Sequence, residues 1–379
     1  MSDRPQMMRV PFGDLKREVD DCGPEVREAI ERVLASGWFV LGREVEAFES
    51  EFAAWLGSGV EAVGVASGTE AVQIALMALG VGSGDYVVTV PNTAMPTVSA
   101  ITAAGATPLL VDVCEDSFNM DPRALEELLE RERPRLGDRV KAIVVVHLYG
   151  QCADMDAIMS VAGKYGLSAV EDAAQAHGAT YRGRMAGTLG DVGAFSFYPS
   201  KNLGCYGDGG AVVTRRPEIA DRVRLLRNYG QRARYLHETK GLNSRLDELQ
   251  AAILRAKLPH LNDWLARRRE IAMMYSHRVH DPAVVLPRVV PGCEHAWHLY
   301  AVRHADRDWA MQQLADAGVG TIAHYPVPIH LQAAYADLGL GEGAFPVAER
   351  AAAQVFSLPL FPQLRDDEID YVCDVVNSL

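Results

Sequence analysis

Two stretches hold residues whose types and spacing can do chemistry. The first is Glu171-Asp172-Ala173-Ala174-Gln175-Ala176-His177-Gly178, an acidic pair following the apolar run 167–170. The second is Ser196-Phe197-Tyr198-Pro199-Ser200-Lys201, which follows the strand-like run 192–195. Its lysine lies 29 residues beyond Asp172. Two strand ends of an α/β sheet can bring such residues into one crevice. A buried carboxylate, a lysine and a nearby hydroxyl suit pyridoxal phosphate. The lysine forms a Schiff base with the aldehyde. The carboxylate holds a proton on the pyridine nitrogen, and the hydroxyl takes a phosphate oxygen.

Each residue also has an ordinary reading. A lone lysine is usually solvated. Lys201, however, sits among aromatic and small residues and precedes Gly204, Gly207, Gly209 and Gly210. Glycines at that density let backbone pass close to a ligand. Asp172 alone would serve as a helix N-cap before an alanine-rich segment. That reading leaves the lysine and the glycines unexplained.

The elements that must position these residues follow from pattern. Val10-Pro11-Phe12 opens an extended arm. Pro24 starts a helix with Val26, Ile30, Val33 and Leu34 at helical spacing. Trp38-Phe39, between Gly37 and Gly42, reads as core in preference to interface. Residues 44–56 resume a helix with Val45, Phe48, Phe52 and Trp55 on one face. Short apolar strands then alternate with helices from 62 to 214, which implies a mostly parallel α/β sheet covered on both faces. Ser67-Gly68-Thr69-Glu70-Ala71 joins a strand to a helix and would turn free N–H groups towards an anion. A simple N-cap by Ser67 or Thr69 explains it as well. Asn243 begins a long helix running past Trp264 into a smaller α+β domain, with a strand at 297–302 and helices at 309–317, 348–355 and 366–377. The expected division is a large cofactor-binding domain, 1–255, and a small domain, 256–379.

Composition narrows the class. The chain has 379 residues, 49% hydrophobic and 23% charged, as expected of a soluble globular protein with a large core. A net charge of −13 argues against a nucleic-acid partner. No apolar run has membrane-spanning length, and residues 1–10 lack a signal-peptide core. Six scattered cysteines form no CxxC pair, which suits a cytoplasmic protein with reduced thiols. His295 and His298, and His324 and His330, have no accompanying carboxylate pattern, so no metal site is expected. His324 beside Tyr325 in a loop is a candidate contact for a polar substrate.

The ordered set of motifs resembles the pyridoxal-phosphate enzymes of the aspartate-aminotransferase fold (fold type I). More narrowly, it resembles the nucleotide-sugar aminotransferases of the DegT/StrS type. The motifs are SGTEA at Ser67, HLYGQ at His147, EDAAQAHGA at Glu171, FSFYPSKNLGCYGDGGA at Phe195, RNYG at Arg227, GLNSRLDELQAA at Gly241 and HYPVPIH at His324. The later ones look most like the branch that aminates carbon 3 of a dTDP-linked 3-keto-6-deoxyhexose.

The resemblance implies roles. Lys201 is the Schiff-base lysine and proton shuttle. Asp172 pairs with the pyridinium nitrogen, and Gln175 bonds the ring hydroxyl. Ser196 and the backbone of Gly68 and Thr69 hold the phosphate. Asn243 reaches the phosphate from the partner subunit of a homodimer with composite sites. Arg245, His324 and Tyr325 are substrate candidates, and glutamate is the amino donor. One position departs: where the family carries an aromatic ring stacked on the cofactor, this chain has Ala94, within Thr93-Ala94-Met95-Pro96-Thr97. Another side chain must then cover that face, or the substrate pocket is wider.

The competing readings are amination at carbon 4, of a UDP-linked sugar, or of a cyclitol ketone. From a different class comes a catalytically silent regulatory protein on the same fold; the intact Lys201–Asp172–Ser196 set argues against it. Borohydride reduction and peptide mapping are expected to label the peptide containing Lys201. A label on another lysine would sink the assignment.

Overall fold

The structure is a computed structural model and describes residues 8–379. In chain order, helices α1 (Leu15–Ser36) and α2 (Arg43–Leu56) precede strand β1 (Glu61–Val65) and α3 (Gly68–Ala78). Then come β2 (Tyr86–Thr89), α4 (Met95–Ala103), β3 (Thr107–Leu110), α5 (Pro122–Leu136), β4 (Val140–Val146), α6 (Met155–Tyr165) and β5 (Ser168–Asp172). Next are β6 (Val192–Ser196), β7 (Gly210–Thr214), α7 (Pro217–Leu226), α8 (Glu248–Lys257) and α9 (Leu261–Arg278). The chain closes with β8 (Val284–Val285), β9 (Tyr300–His304), α10 (Arg307–Asp316), α11 (Pro346–Gln354), β10 (Val355–Leu358) and α12 (Asp366–Val376).

A seven-stranded sheet has the order β1-β7-β6-β5-β4-β2-β3. Strands β6, β5, β4, β2 and β3 are parallel neighbours, and β7 runs antiparallel to both β1 and β6. Strand β4 shows why both faces are covered. Ala142 and Val144 join one apolar cluster with Val72, Ile74 and Ile101 of α3 and α4. Ile143 and Val145 join the other, with Phe48 and Phe52 of α2 and Leu125 of α5. A period of two with apolar residues at both phases can be satisfied only between two helical layers.

The C-terminal strands form a separate antiparallel sheet, β8-β9-β10. Tyr275, Tyr300, Phe356 and Ile369 fill its core, and Val10 of the N-terminal arm joins them. The arm is held there by paired bonds: Val10 N–H donates to Gly318 O at 2.9 Å, and Gly320 N–H to Val10 O at 2.8 Å.

Several expected boundaries move, each for a local reason. Helix α1 begins at Leu15, capped by Asp14, and kinks at Cys22 (φ −109°, ψ 16°), because Pro24 cannot donate into the turn before it. The expected strand at 297–302 begins only at Tyr300; Trp297 has φ 48°, outside the extended region. Residues 243–247 are not helical. Ser244 N–H bonds Arg227 O and Glu248 N–H bonds Phe39 O, so this backbone is committed to neighbouring segments before α8 starts. A 3-10 turn at Leu258–His260, containing Pro259, then separates α8 from α9.

Trp38 and Phe39 are not core: they are 62% and 48% exposed. Their turn is held from beneath by Glu248. Its buried carboxylate accepts the N–H groups of Gly42 (2.8 Å), Glu44 (3.0 Å) and Val45 (2.9 Å). Gly42, the N-cap of α2, has no side chain to do this itself. Glu248→Ala should therefore lower the unfolding midpoint, costing on the order of 3 kcal/mol. Glu248→Gln, which keeps one acceptor oxygen, should lose less. Equal midpoints for all three proteins in a urea melt would refute the cap.

Candidate active site

A cleft of about 590 Å³ lies where β1, β2, β4, β5 and β6 end. Gly68, Thr69, Asp172, Gln175, Ser196, Lys201, His324 and Tyr325 all line it, as does Ala94. Asn243 and Arg245 are not among its lining residues. Asn243 is exposed and bridges to Asn228. Arg245 donates to Asn228 Oδ1 at 3.0 Å and lies over the Tyr229 ring.

The acidic pair divides its labour. Glu171 is fully buried and accepts from Gly187, Leu189 and Gly190 N–H at 2.6–2.7 Å. It also contacts His147 Nε2 at 2.8 Å. Because His147 Nδ1 accepts from Ala153 N–H, its Nε2 is the donor to Glu171. Glu171 is thus a structural anchor. Asp172, the last residue of β5, faces the cleft. Its Oδ2 accepts from Thr97 at 2.7 Å, and its Oδ1 from Ala174 N–H at 3.2 Å. No helix follows it, so the N-cap reading of Asp172 falls away.

The start of α3 forms the opposite end. Ser67 caps the helix by accepting from Glu70 N–H at 3.2 Å. The N–H groups of Gly68 and Thr69, in the first turn, have no intrahelical acceptor and carry the positive end of the helix dipole. A Cβ on Gly68 would sit 2.4 Å from Ser196 Cβ, so only bare backbone at the helix start lets the Ser196 side chain come this close. This is an anion cradle with hydroxyls from Ser67, Thr69 and Ser196 around it.

Lys201 completes the arrangement. Burial lowers its amine from the ordinary lysine range to about 8, with Asp172 opposing the shift. The rings beside it are kept neutral. Burial, aided by Lys201, lowers His177 to about 3 and His324 to about 4, and His298 falls for the same reasons. Gln175 is locked by both ends: its Oε1 accepts from Tyr149 N–H at 2.6 Å, and its Nε2 donates to Tyr325 Oη at 2.9 Å. Burial raises the Tyr325 phenol to about 12, so Tyr325 stays protonated. Tyr149 donates its hydroxyl to His324 O.

Sequence reasoning passed over Thr93, Thr97, Tyr198 and His298, which also line the cleft. Thr93 and Thr97 bond each other at 2.8 Å, four residues apart, and hand Asp172 a donor. The usable signal was two hydroxyls one helical turn apart, just beyond a strand end. From the sequence, His298 stands out only as a possible metal ligand beside His295. Among the described residues no group of three or more His, Cys, Asp or Glu could hold a metal ion. At Ala94 the cleft wall has no ring; Met95 and Pro96 continue it.

These groups fit pyridoxal phosphate: an anion cradle at one end, a carboxylate tied by a hydroxyl, and a lysine with a lowered pKa. The fold and cleft are those of a pyridoxal-phosphate-dependent aminotransferase. Residues 20–377 match the model of the DegT/DnrJ/EryC1/StrS aminotransferase family, and the chain belongs to that family. It is 49% identical to the dTDP-3-amino-3,4,6-trideoxy-alpha-D-glucose transaminase of Streptomyces venezuelae, over 100% of this chain and 98% of the relative. The crystal structure of S. venezuelae DesV in complex with a ketimine intermediate superposes with a TM-score of 0.93, at 49% identity, covering 98% of each chain. NtdA of Bacillus subtilis, solved with bound cofactor PMP, gives a TM-score of 0.89 at 30% identity, covering 99% of this chain and 86% of that one.

The lowered Lys201 value has a measurable consequence in cofactor-free protein. The unfolded chain binds the extra proton between pH 8 and 10.5, so stability rises with pH in that window. Lys201→Met should be the more stable protein below pH 8, by at most about 3 kcal/mol. The gap should close as pH approaches 10.5. A pH-independent gap in thermal melts would contradict a buried, depressed lysine.

Proposed function

We propose that the chain transfers an amino group from glutamate to carbon 3 of a dTDP-linked 3-keto-6-deoxyhexose, in deoxyamino-sugar biosynthesis. The observation that carries this reading is the convergence of Lys201, Asp172 and the α3 start in one cleft. Full-length similarity to a transaminase acting on such a sugar supports the substrate.

In this reading the cofactor, when bound, supplies an electrophilic carbonyl and an electron sink. Lys201 anchors it and moves the proton between the reacting carbons. Asp172, oriented by Thr97, keeps the ring nitrogen protonated. Gln175, fixed by Tyr149 and Tyr325, presents its remaining amide hydrogen to the ring hydroxyl. Gly68, Thr69 and Ser196 hold the phosphate. His324 and Tyr325 contact the sugar, and the missing ring at Ala94 leaves room beside it. Residues 1–255 and 256–379 act as large and small domains of a cytoplasmic enzyme.

The nucleotide carries negative charge, and the basic segment 227–245 is its natural counterpart. Not every cation there is available. Arg227 is buried against Glu49 and Gly64 O, and Arg232 pairs with Glu238 at 3.3 Å. Arg234, which lies over the Tyr235 ring, and exposed Lys240 are the better candidates. Arg245 adds a third. The assay is amine transfer from glutamate to a panel: dTDP-linked 3-keto and 4-keto sugars, a UDP-linked sugar, a cyclitol ketone and free keto sugars. The dTDP-linked 3-keto sugar should react fastest. Equal rates with the free sugars would defeat the nucleotide-recognition reading.

The enzyme acts as a homodimer in which Asn243 serves the partner's site. Its exposure, beside a buried Ser244 that bonds Glu70 at 2.6 Å, suits a residue presented outward from a rigid base. Refolding Lys201→Ala and Asn243→Asp together makes half the dimers mixed, each with one site free of both defects. Activity should then recover to roughly one quarter of wild type. If wild-type protein survives the refolding and the mixture stays as inactive as both parents, Asn243 belongs to its own subunit's site; if Asn243→Asp alone is active, it belongs to none.

A further inference from the structure

Lys201 lines two cavities. Besides the main cleft, a chamber of about 390 Å³ has Lys201, His298 and His324 in its wall. The N-terminal arm at Phe12 and Gly13 closes one side, and Leu358, Leu360 and Phe361 of the small sheet close another. Arg268 also lines it.

Arg268 is only 6% exposed, and its hydrogen bonds all run through Nη1, to the carbonyls of Trp297 (3.1 Å), His298 (3.4 Å) and Leu360 (3.0 Å). Its Nε has no partner, nor has Nδ1 of His298. Among the described residues Arg268 has no ion pair. The carboxylate that stabilises its charge is Glu18, and burial still lowers the guanidinium to about 10. But Glu18 is already paired with the fully buried Lys257, at 2.5 Å. Asp14, also in the chamber wall, is paired with Arg17 at 3.2 Å. Two buried cations therefore share one carboxylate. Buried charges are retained where a counter-charge meets them, and Arg268 has only a share in one carboxylate.

We propose that this chamber receives the carboxylate of the amino donor, held at the Arg268 guanidinium, while the keto sugar occupies the larger cleft. The inference rests on the aminotransferase reading above and adds a place for its first substrate. An amino acid seated there brings its amino group to the Lys201 end of the cleft. Its aliphatic part lies against Leu358, Leu360 and Phe361. The neutral His298 and His324 add no competing positive charge.

The test uses holoenzyme and two variants. Arg268→Lys keeps a charge but loses the fork that matches a carboxylate. Gly13→Leu adds bulk at the arm that lines the chamber and leaves Arg268 unchanged; a Cβ there meets nothing within 4 Å. Glutarate, which cannot transaminate, is titrated by calorimetry, and the glutamate and keto-sugar half-reactions are followed separately by cofactor absorbance. Both variants should weaken glutarate and raise the glutamate KM about tenfold or more, leaving the keto-sugar half-reaction within about twofold. Should Arg268→Lys fail to fold, Gly13→Leu decides alone. The proposal is overturned if wild-type protein does not bind glutarate at millimolar concentration. It is equally overturned if Gly13→Leu behaves as wild type, or if both half-reactions fall together. A protein that takes the amine from glutamate in this chamber but gives it to no nucleotide sugar would leave the chamber standing and defeat the sugar reading instead.

Discussion

The cleft depends on one buried carboxylate that takes no part in its chemistry. Glu171 accepts three backbone N–H bonds from the loop before β6 and a fourth from His147 at the end of β4. A carboxylate in a sheet core is tolerable only when its lone pairs are filled in this way. The same bonds fasten β4, β5 and the approach to β6 to each other. Asp172, one residue on, can then face the cleft, because neighbours on a strand point to opposite sides. With the loop anchored, β6 sets Ser196 against the α3 start, and Lys201 follows one short turn later.

Glu248 repeats the device elsewhere. Three N–H groups at the start of α2 converge on it, and α8 is thereby joined to the 37–42 turn. In both places a glutamate distant in sequence satisfies backbone that its own segment cannot, and the tie stands in for local propensity. The exposed Trp38 and Phe39 are carried on that tie.

Around Lys201 the governing effect is desolvation. Burial lowers the amine and keeps the neighbouring imidazoles uncharged, so Asp172 faces a single nearby cation within a largely neutral wall. The same penalty bears on Arg268, whose stabilising carboxylate, Glu18, is already paired with Lys257. Charge in this region is scarce and placed, even though the chain as a whole carries −13.

The sequence by itself determined the sheet and the chemistry of its strand ends. Runs such as Ala142-Ile143-Val144-Val145-Val146 are apolar at both phases, and only a sheet between helices buries both. Lys201, Asp172 and the Ser67-Gly68-Thr69 turn were legible because strand-end residues in such a sheet converge by topology. What only the tertiary structure decided depended on partners far away in the chain. Glu171 and Asp172 look alike in sequence; the contacts of Gly187 and Thr97 give them different duties. Residues 243–247 read as a helix start in the sequence, yet Arg227 takes the Ser244 N–H and Asp247 bridges to Val40. Trp38 looked like core because hydrophobicity is local, whereas burial depends on what lies opposite. Thr97 and Arg268 were missed for the same reason: a hydroxyl or a guanidinium acquires its role from the atoms packed around it, and those come from distant segments, as Asp172 does for Thr97 and Leu360 and Glu18 do for Arg268.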